Sequence, residues 1–200
     1  TILFVSSSYV VNPSLYDRVP YDPYKDFTPL TVAATAANVL LVNPKVLPVN
    51  TPKELADLIK ANPGKYTFAS AGTGTTPHLS GELFKLTFKL DTVHVPFGGA
   101  GPAIQSIVAG HTPLAFTSLP PAVPFIKEGT LRALAVANKT RVKVLPDVPT
   151  LAEAGFPNVD PRSWYGLFAT AGTPAAPASR IDRGWASLML VRAMTSVCPK

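Results

Sequence analysis

The sequence has almost no cysteine: a single residue, Cys198, in 200. An intrachain disulfide and a cysteine-built metal site are both excluded, and the thiol content says nothing about compartment. It also has little charge. Charged residues make up 15%, against roughly 25% in an average soluble domain. Hydrophobic residues reach 46%, and a disordered chain needs the opposite balance, so long-range disorder is excluded. No run approaches the roughly 18 consecutive apolar residues of a membrane helix. No basic segment followed by an apolar one opens the chain. It begins with Thr1-Ile2-Leu3-Phe4-Val5, which reads as the middle of a strand and raises the expectation of a fragment or of a mature chain.

Acids are the scarcer charge, 12 against 18 lysines and arginines, for a net charge of +6. The cations stand singly, as at Lys45, Lys53, Lys60, Lys127 and Arg141. Nothing resembles the like-charge blocks or the basic–aromatic interleaving of a nucleic-acid surface, so no nucleic-acid partner is expected. A mild attraction for small anions fits the same charge. Proline is abundant, at 22 residues, and falls singly between apolar runs as punctuation.

Those runs alternate in type. Residues 1–5, 39–42, 66–70, 92–95, 114–116 and 131–136 read as strands. Thr51-Pro52-Lys53-Glu54 opens a helix with an N-cap, a proline in the first turn and a capping-box glutamate, and Asn62-Pro63-Gly64 stops it. Further helices are predicted over residues 79–88, 103–109 and 122–127. This rhythm predicts an α/β fold with a largely parallel sheet. Ligands then bind beyond the carboxyl ends of the strands, at the loops of residues 70–78, 96–102 and 117–121.

The first of these, Ser70-Ala71-Gly72-Thr73-Gly74-Thr75-Thr76, sits at a strand-to-helix junction. Glycines let successive N–H groups converge, and the helix N-terminus adds partial positive charge, which suits a carboxylate or phosphate. A tight turn with Thr75 or Thr76 as an ordinary N-cap is the plainer alternative. Gly-Lys-Ser/Thr is missing, so a phosphate-binding nucleotide loop is not expected. His78 is either a ligand contact or a ring packed on Pro77. His94 and His111 read as structural, and the three histidines have no metal-ligand spacing, so no metal is expected. No cofactor and no catalytic residue are expected either: the chain has no Gly-x-Ser-x-Gly elbow. Ser163-Trp164-Tyr165-Gly166 reads as core anchoring or as a ligand wall. Ser6-Ser7-Ser8, at a strand end, reads as a set of ligand hydroxyls or as a helix cap.

Several stretches match one pattern together. They are Asn12-Pro13-Ser14-Leu15-Tyr16, Phe68-Ala69-Ser70-Ala71-Gly72-Thr73-Gly74-Thr75 with His78-Leu79-Ser80-Gly81-Glu82-Leu83-Phe84, His94-Val95-Pro96-Phe97, Leu131-Arg132-Ala133-Leu134-Ala135-Val136, Leu145-Pro146-Asp147-Val148-Pro149-Thr150 and Trp164-Tyr165-Gly166-Leu167. Over residues 1 to about 181 the sequence resembles the substrate-binding receptors of tripartite tricarboxylate transporters, the Bug family. The resemblance implies a two-lobed periplasmic binding protein of type II that captures a small carboxylate for the transporter's membrane components and is not an enzyme. It implies that residues 1–34 and 137–200 belong to an incomplete first lobe and residues 35–136 to the second.

Carried over residue by residue, Ser70, Ala71, Gly72, Thr73, Gly74 and Thr75, with His78, match the second-lobe carboxylate cradle. Ser6 and Ser7 match a first-lobe loop, and Thr117 and Ser118 a third cleft loop. Phe97 stands where many relatives carry tyrosine, which removes a hydroxyl. Relatives begin well upstream, with a strand and a glycine-rich loop absent here. From about residue 182 the tail, Asp182-Arg183-Gly184-Trp185 onward, departs from the pattern. Two rivals stay open: a serine-dependent hydrolase of small esters built on Ser70, and a truncated receptor that no longer binds.

Overall fold

The computed structural model describes residues 1–156 and 163–174. The tail from about residue 182, Cys198 included, lies outside the described residues. The described residues form two compact units, residues 1–35 with 164–174 and residues 36–156 with 163.

The first unit carries β1 (Ile2–Ser6), α1 (Ser8–Leu15), most of β2 (Phe27–Ala36) and most of β8 (Ser163–Thr170). Its sheet has the order β1-β8-β2. β1 runs antiparallel to β8, from Ile2 opposite Ala169 to Ser6 opposite Tyr165. Tyr9 of α1 is the packing centre. Its ring stacks on Tyr21 at 5.0 Å, meets Phe27 edge-on at 5.8 Å and lies 5.0 Å from Phe168. Its hydroxyl donates to the Pro23 carbonyl, and the Tyr21 hydroxyl donates to its own carbonyl. The two phenols are therefore satisfied while their rings are packed away from water.

The second unit carries β3 (Asn38–Val42), α2 (Pro52–Lys60), β4 (Thr67–Ser70), α3 (Thr76–Phe88), β5 (Val93–Pro96), α4 (Ala100–Val108), β6 (Leu114–Ser118), α5 (Leu119–Lys127) and β7 (Arg132–Ala137). The strand order is β5-β4-β6-β3-β7. β4 is parallel to β5 and β6, whereas β3 is antiparallel to both β6 and β7. The sheet is mixed, which corrects the largely parallel sheet expected. The first strand of the unit enters against the direction of the rest, and no local hydrophobic pattern encodes direction.

Every residue of β3 is buried, because both faces of the sheet are covered. Leu40, Phe68, Leu114 and Phe116 face one core with Leu55, Ile59 and Phe84 of α2 and α3. Val39, Leu41, Ala69 and Ala115 face the other with Ala103, Ile104, Ile107, Leu119 and Ala122 of α4 and α5. Each fully buried aliphatic or aromatic side chain contributes about 1.5–3 kcal/mol.

The chain after β7 stays with this unit and does not leave at residue 137. Val136 N–H donates to Pro149 O, Leu151 N–H donates to Val136 O, and Leu151 and Phe156 enter the α2/α3 core. Phe156 lies 5.1 Å from Phe84 and 4.6 Å from Phe88, ring to ring. This cluster draws residues 137–156 onto the second unit.

Candidate functional site

The loop after β4 is shaped by two glycines that no other residue replaces without strain. Gly72 has φ +133° and Gly74 φ +78°, conformations L side chains rarely adopt. A Cβ on Gly72 would stand 3.2 Å from the Phe97 carbonyl oxygen. That close approach is held by the Phe97 N–H, which donates to Ser70 O at 3.1 Å. Thr75 is the N-cap of α3, with Oγ1 accepting from His78 N–H. The same hydroxyl donates to Gly72 O at 2.6 Å.

The loop's amides are largely engaged by the loop itself. Gly72 N–H donates to Ser70 Oγ and Gly74 N–H to His78 Nδ1, each at 3.2 Å, and Thr75 N–H donates to Gly72 O. Thr73 is exposed at the tip, and among the described residues its N–H has no partner. What faces outward is therefore the Thr73 amide and hydroxyl beside the positive end of α3, an arrangement that favours an anion. Ala71, next to Ser70, is half-buried.

Beneath the loop lies a contact that sequence spacing does not show. Ser70, 0% exposed, is 2.6 Å from His94 Nε2 through its Oγ. His94 reaches it because β5 sets His94 opposite Phe68, and its ring lies 4.9 Å from that of Phe68. The His78 ring packs 4.1 Å from the His94 ring at 35°. Since Gly74 N–H donates to His78 Nδ1, the neutral His78 ring carries its proton on Nε2. Burial pushes the His78 imidazole below its ordinary value. Burial and then the neighbouring His78 push His94 down to about 4. The sequence reading gave His94 a structural role; the signal that places it at the loop is the β4–β5 register.

The other expected residues are spread more widely. Phe97 is half-buried and packs against the α4/α5 core. Thr117 is 0% exposed on β6 and its Oγ1 has no hydrogen-bond partner. Ser118 is buried as the N-cap of α5, without a side-chain cap bond. Ser6 and Ser7 lie in the first unit. Ser7 is buried at the N-cap of α1. Ser6 Oγ pairs with Ser8 Oγ at 2.8 Å, and both line a cavity of about 330 Å³ with Leu3, Val5, Tyr9 and Asn12. Tyr165 stacks on Phe4 at 6.0 Å and Trp164 lies 6.5 Å from Phe168. Among the described residues no cluster of His, Cys, Asp or Glu could hold a metal ion, and no helix is long and apolar enough to cross a membrane.

The two units, the strand order of the larger one and its glycine loop at the carboxyl end of β4 define a protein of the periplasmic binding class. Rpa4515 of R. palustris, solved with adipate, superposes with a TM-score of 0.88 at 32% identity, over 94% of this chain and 62% of that one. MatC from Rhodopseudomonas palustris, solved with bound malate, gives 0.86 at 31% identity, over 94% and 64%. Protein BugT of Bordetella pertussis is 34% identical over 175 residues, 86% of this chain and 53% of its own length. The tripartite tricarboxylate transporter family receptor model matches residues 1–196, and the chain belongs to that family. It spans about half the length of the curated relatives it matches.

Proposed function

We propose that the chain belongs to an extracytoplasmic receptor that captures a small carboxylate for a tripartite tricarboxylate-type transporter, and that it is not an enzyme. The observation that carries this is the residue 70–75 loop. Two glycines in left-handed or related backbone bring an exposed amide and threonine hydroxyl to the N-terminus of α3. Family membership and the dicarboxylates bound by two structural relatives support the ligand class. Ser70, Gly72, Gly74 and Thr75 build the cradle, Thr73 contacts the anion, and Phe97, Thr117 and Ser118 belong to the wider ligand site of the second unit; Ser6 and Ser7 are ligand hydroxyls of the first. The receptor works in the periplasm, and its partners are the transporter's membrane components. The hydrolase reading has the Ser70–His94 contact in its favour, but Ser70 is fully buried and its Oγ cannot meet an ester carbonyl.

A thermal-shift assay with adipate and malate tests the receptor reading, with the uncharged adipamide as control. Linkage sets about 2.7 kcal/mol of stabilisation at one hundred times the dissociation constant. The acid is expected to stabilise the chain, adipamide to leave it unmoved, and Gly72→Val to lose the effect. Equal stabilisation by the amide, or an undiminished shift in Gly72→Val, would overturn the assignment.

A further inference from the structure

We propose that His78 and His94 form a positioning pair that holds the residue 70–74 loop in its anion-receiving shape only while His78 is neutral, so that capture at this loop is lost on acidification. The inference rests on the anion-cradle reading above and names the regulation of that same site.

The pair grips both ends of the loop. His94 Nε2 meets Ser70 Oγ at 2.6 Å where the loop leaves β4. His78 Nδ1 accepts the Gly74 N–H at 3.2 Å where the loop enters α3. Gly74 is buried, so its amide has no ready exchange for water if that acceptor is lost. Protonating His78 turns Nδ1 from acceptor into donor, and the Gly74 N–H then faces a second N–H.

The two ends are not equally sensitive. An imidazolium at His94 can still donate to Ser70 Oγ, whose hydroxyl can turn to Gly72 O at 3.3 Å. His78 is therefore the ring whose charge undoes the loop. The two tilted rings, 4.1 Å apart, also disfavour charging both together. The charged groups acting on the pair are Glu82 and Lys85, both on α3, which push in opposite directions. They are paired with each other at 3.1 Å. From β4 the rings meet Phe68 and Ser70, neither of them ionised.

The direction follows from geometry and is opposite to that of simple charge. An imidazolium beside the loop attracts an anion, so charge alone would raise affinity at low pH. Loss of the Gly74 bond lowers it. With His78 titrating below 6.5, affinity is expected to fall by up to about tenfold per pH unit below that midpoint.

The test is an amide and imidazole NMR titration of the ligand-free chain from pH 8 to 5, on wild type and His78→Asn. Asparagine keeps an acceptor near the Nδ1 position and does not titrate. In wild type the Gly74 amide is expected to move with the midpoint of the His78 ring, and in His78→Asn to stay still. A Gly74 amide that ignores the His78 titration, or moves equally in His78→Asn, overturns the proposal. Should His78→Asn fail to fold, ring nitrogen shifts decide on wild type alone: a proton on His78 Nδ1 at pH 8 overturns it.

Adipate affinity against pH is then compared between the two chains. Protonation of adipate contributes equally to both, so the difference in slope belongs to His78. Wild-type affinity that holds or rises relative to His78→Asn on acidification also overturns it. A responsive loop in a chain that no acid stabilises would instead sink the anion reading and leave the pair standing.

Discussion

Gly81 shows how one atom decides between two opposing effects. It lies inside α3, where glycine is about 1 kcal/mol less favourable than alanine. On propensity alone Gly81→Ala would stabilise the chain. A Cβ at Gly81, however, would stand 2.2 Å from Phe68 Cε2 and 2.8 Å from two further ring atoms. Phe68 is fully buried, packed edge-to-face with Phe116 and against the His94 ring, and cannot swing aside. Overpacking of this kind costs about 1–3 kcal/mol, which exceeds the propensity gain. Gly81→Ala is therefore expected to lower the denaturation midpoint, and a raised midpoint would show that Phe68 yields. Because Phe68 carries the His94 ring, the same substitution also presses on the support of the cradle loop.

The ends of β3, α3 and β8 are tied by a closed ring of buried hydrogen bonds. Asn38 Nδ2 donates to Thr76 Oγ1, and Ser163 Oγ donates to Asn38 Oδ1. With its one proton so used, Ser163 Oγ accepts from the Thr76 hydroxyl. Thr76→Val keeps the shape and removes both roles, so Asn38 Nδ2 loses the Thr76 acceptor and Ser163 Oγ loses the Thr76 donor. The expected loss is about 1–3 kcal/mol, read by urea denaturation, with Thr76→Ser retaining most of the stability; equal loss in both variants would assign the effect to the methyl. None of this ring was legible in the sequence, since its members lie far apart in the chain and meet only in the fold. What was legible was local: Thr51 does accept from Glu54 N–H, α3 does end at Phe88 before a left-handed Lys89, and the two glycines do mark the loop. The start of α5 was missed because Pro120 and Pro121 read as loop, yet both sit in a first turn where proline is tolerated. β2 was missed because Pro29 and three threonines interrupt its apolar pattern. The Ser70–His94 contact needed the pairing of β4 with β5, which no spacing within one segment supplies.

At the scale of the whole chain, burial and not charge holds the described structure. The described ion pairs, Lys25–Asp22, Lys85–Glu82 and Arg141–Glu153, are all partly or well exposed, and such pairs contribute little. Burial is uneven between the units. In the second, β3 is paired on both sides and buried along its whole length. In the first, β1 is an edge strand that leaves Ile2 and Phe4 more than half exposed. Local opening follows the number of buried contacts and paired neighbours a strand must lose. Amides of β3, β4 and β6 are therefore expected to exchange with deuterium on the order of 100-fold more slowly than those of β1. The ordering is expected to survive 0.5 M salt, because screening weakens ion pairs and leaves apolar burial intact. β1 amides as protected as those of β3 would mean that the two units open together as one cooperative body. Protection of β3 that collapses in salt would mean that charge, not the two-sided core, sets the stability of the larger unit.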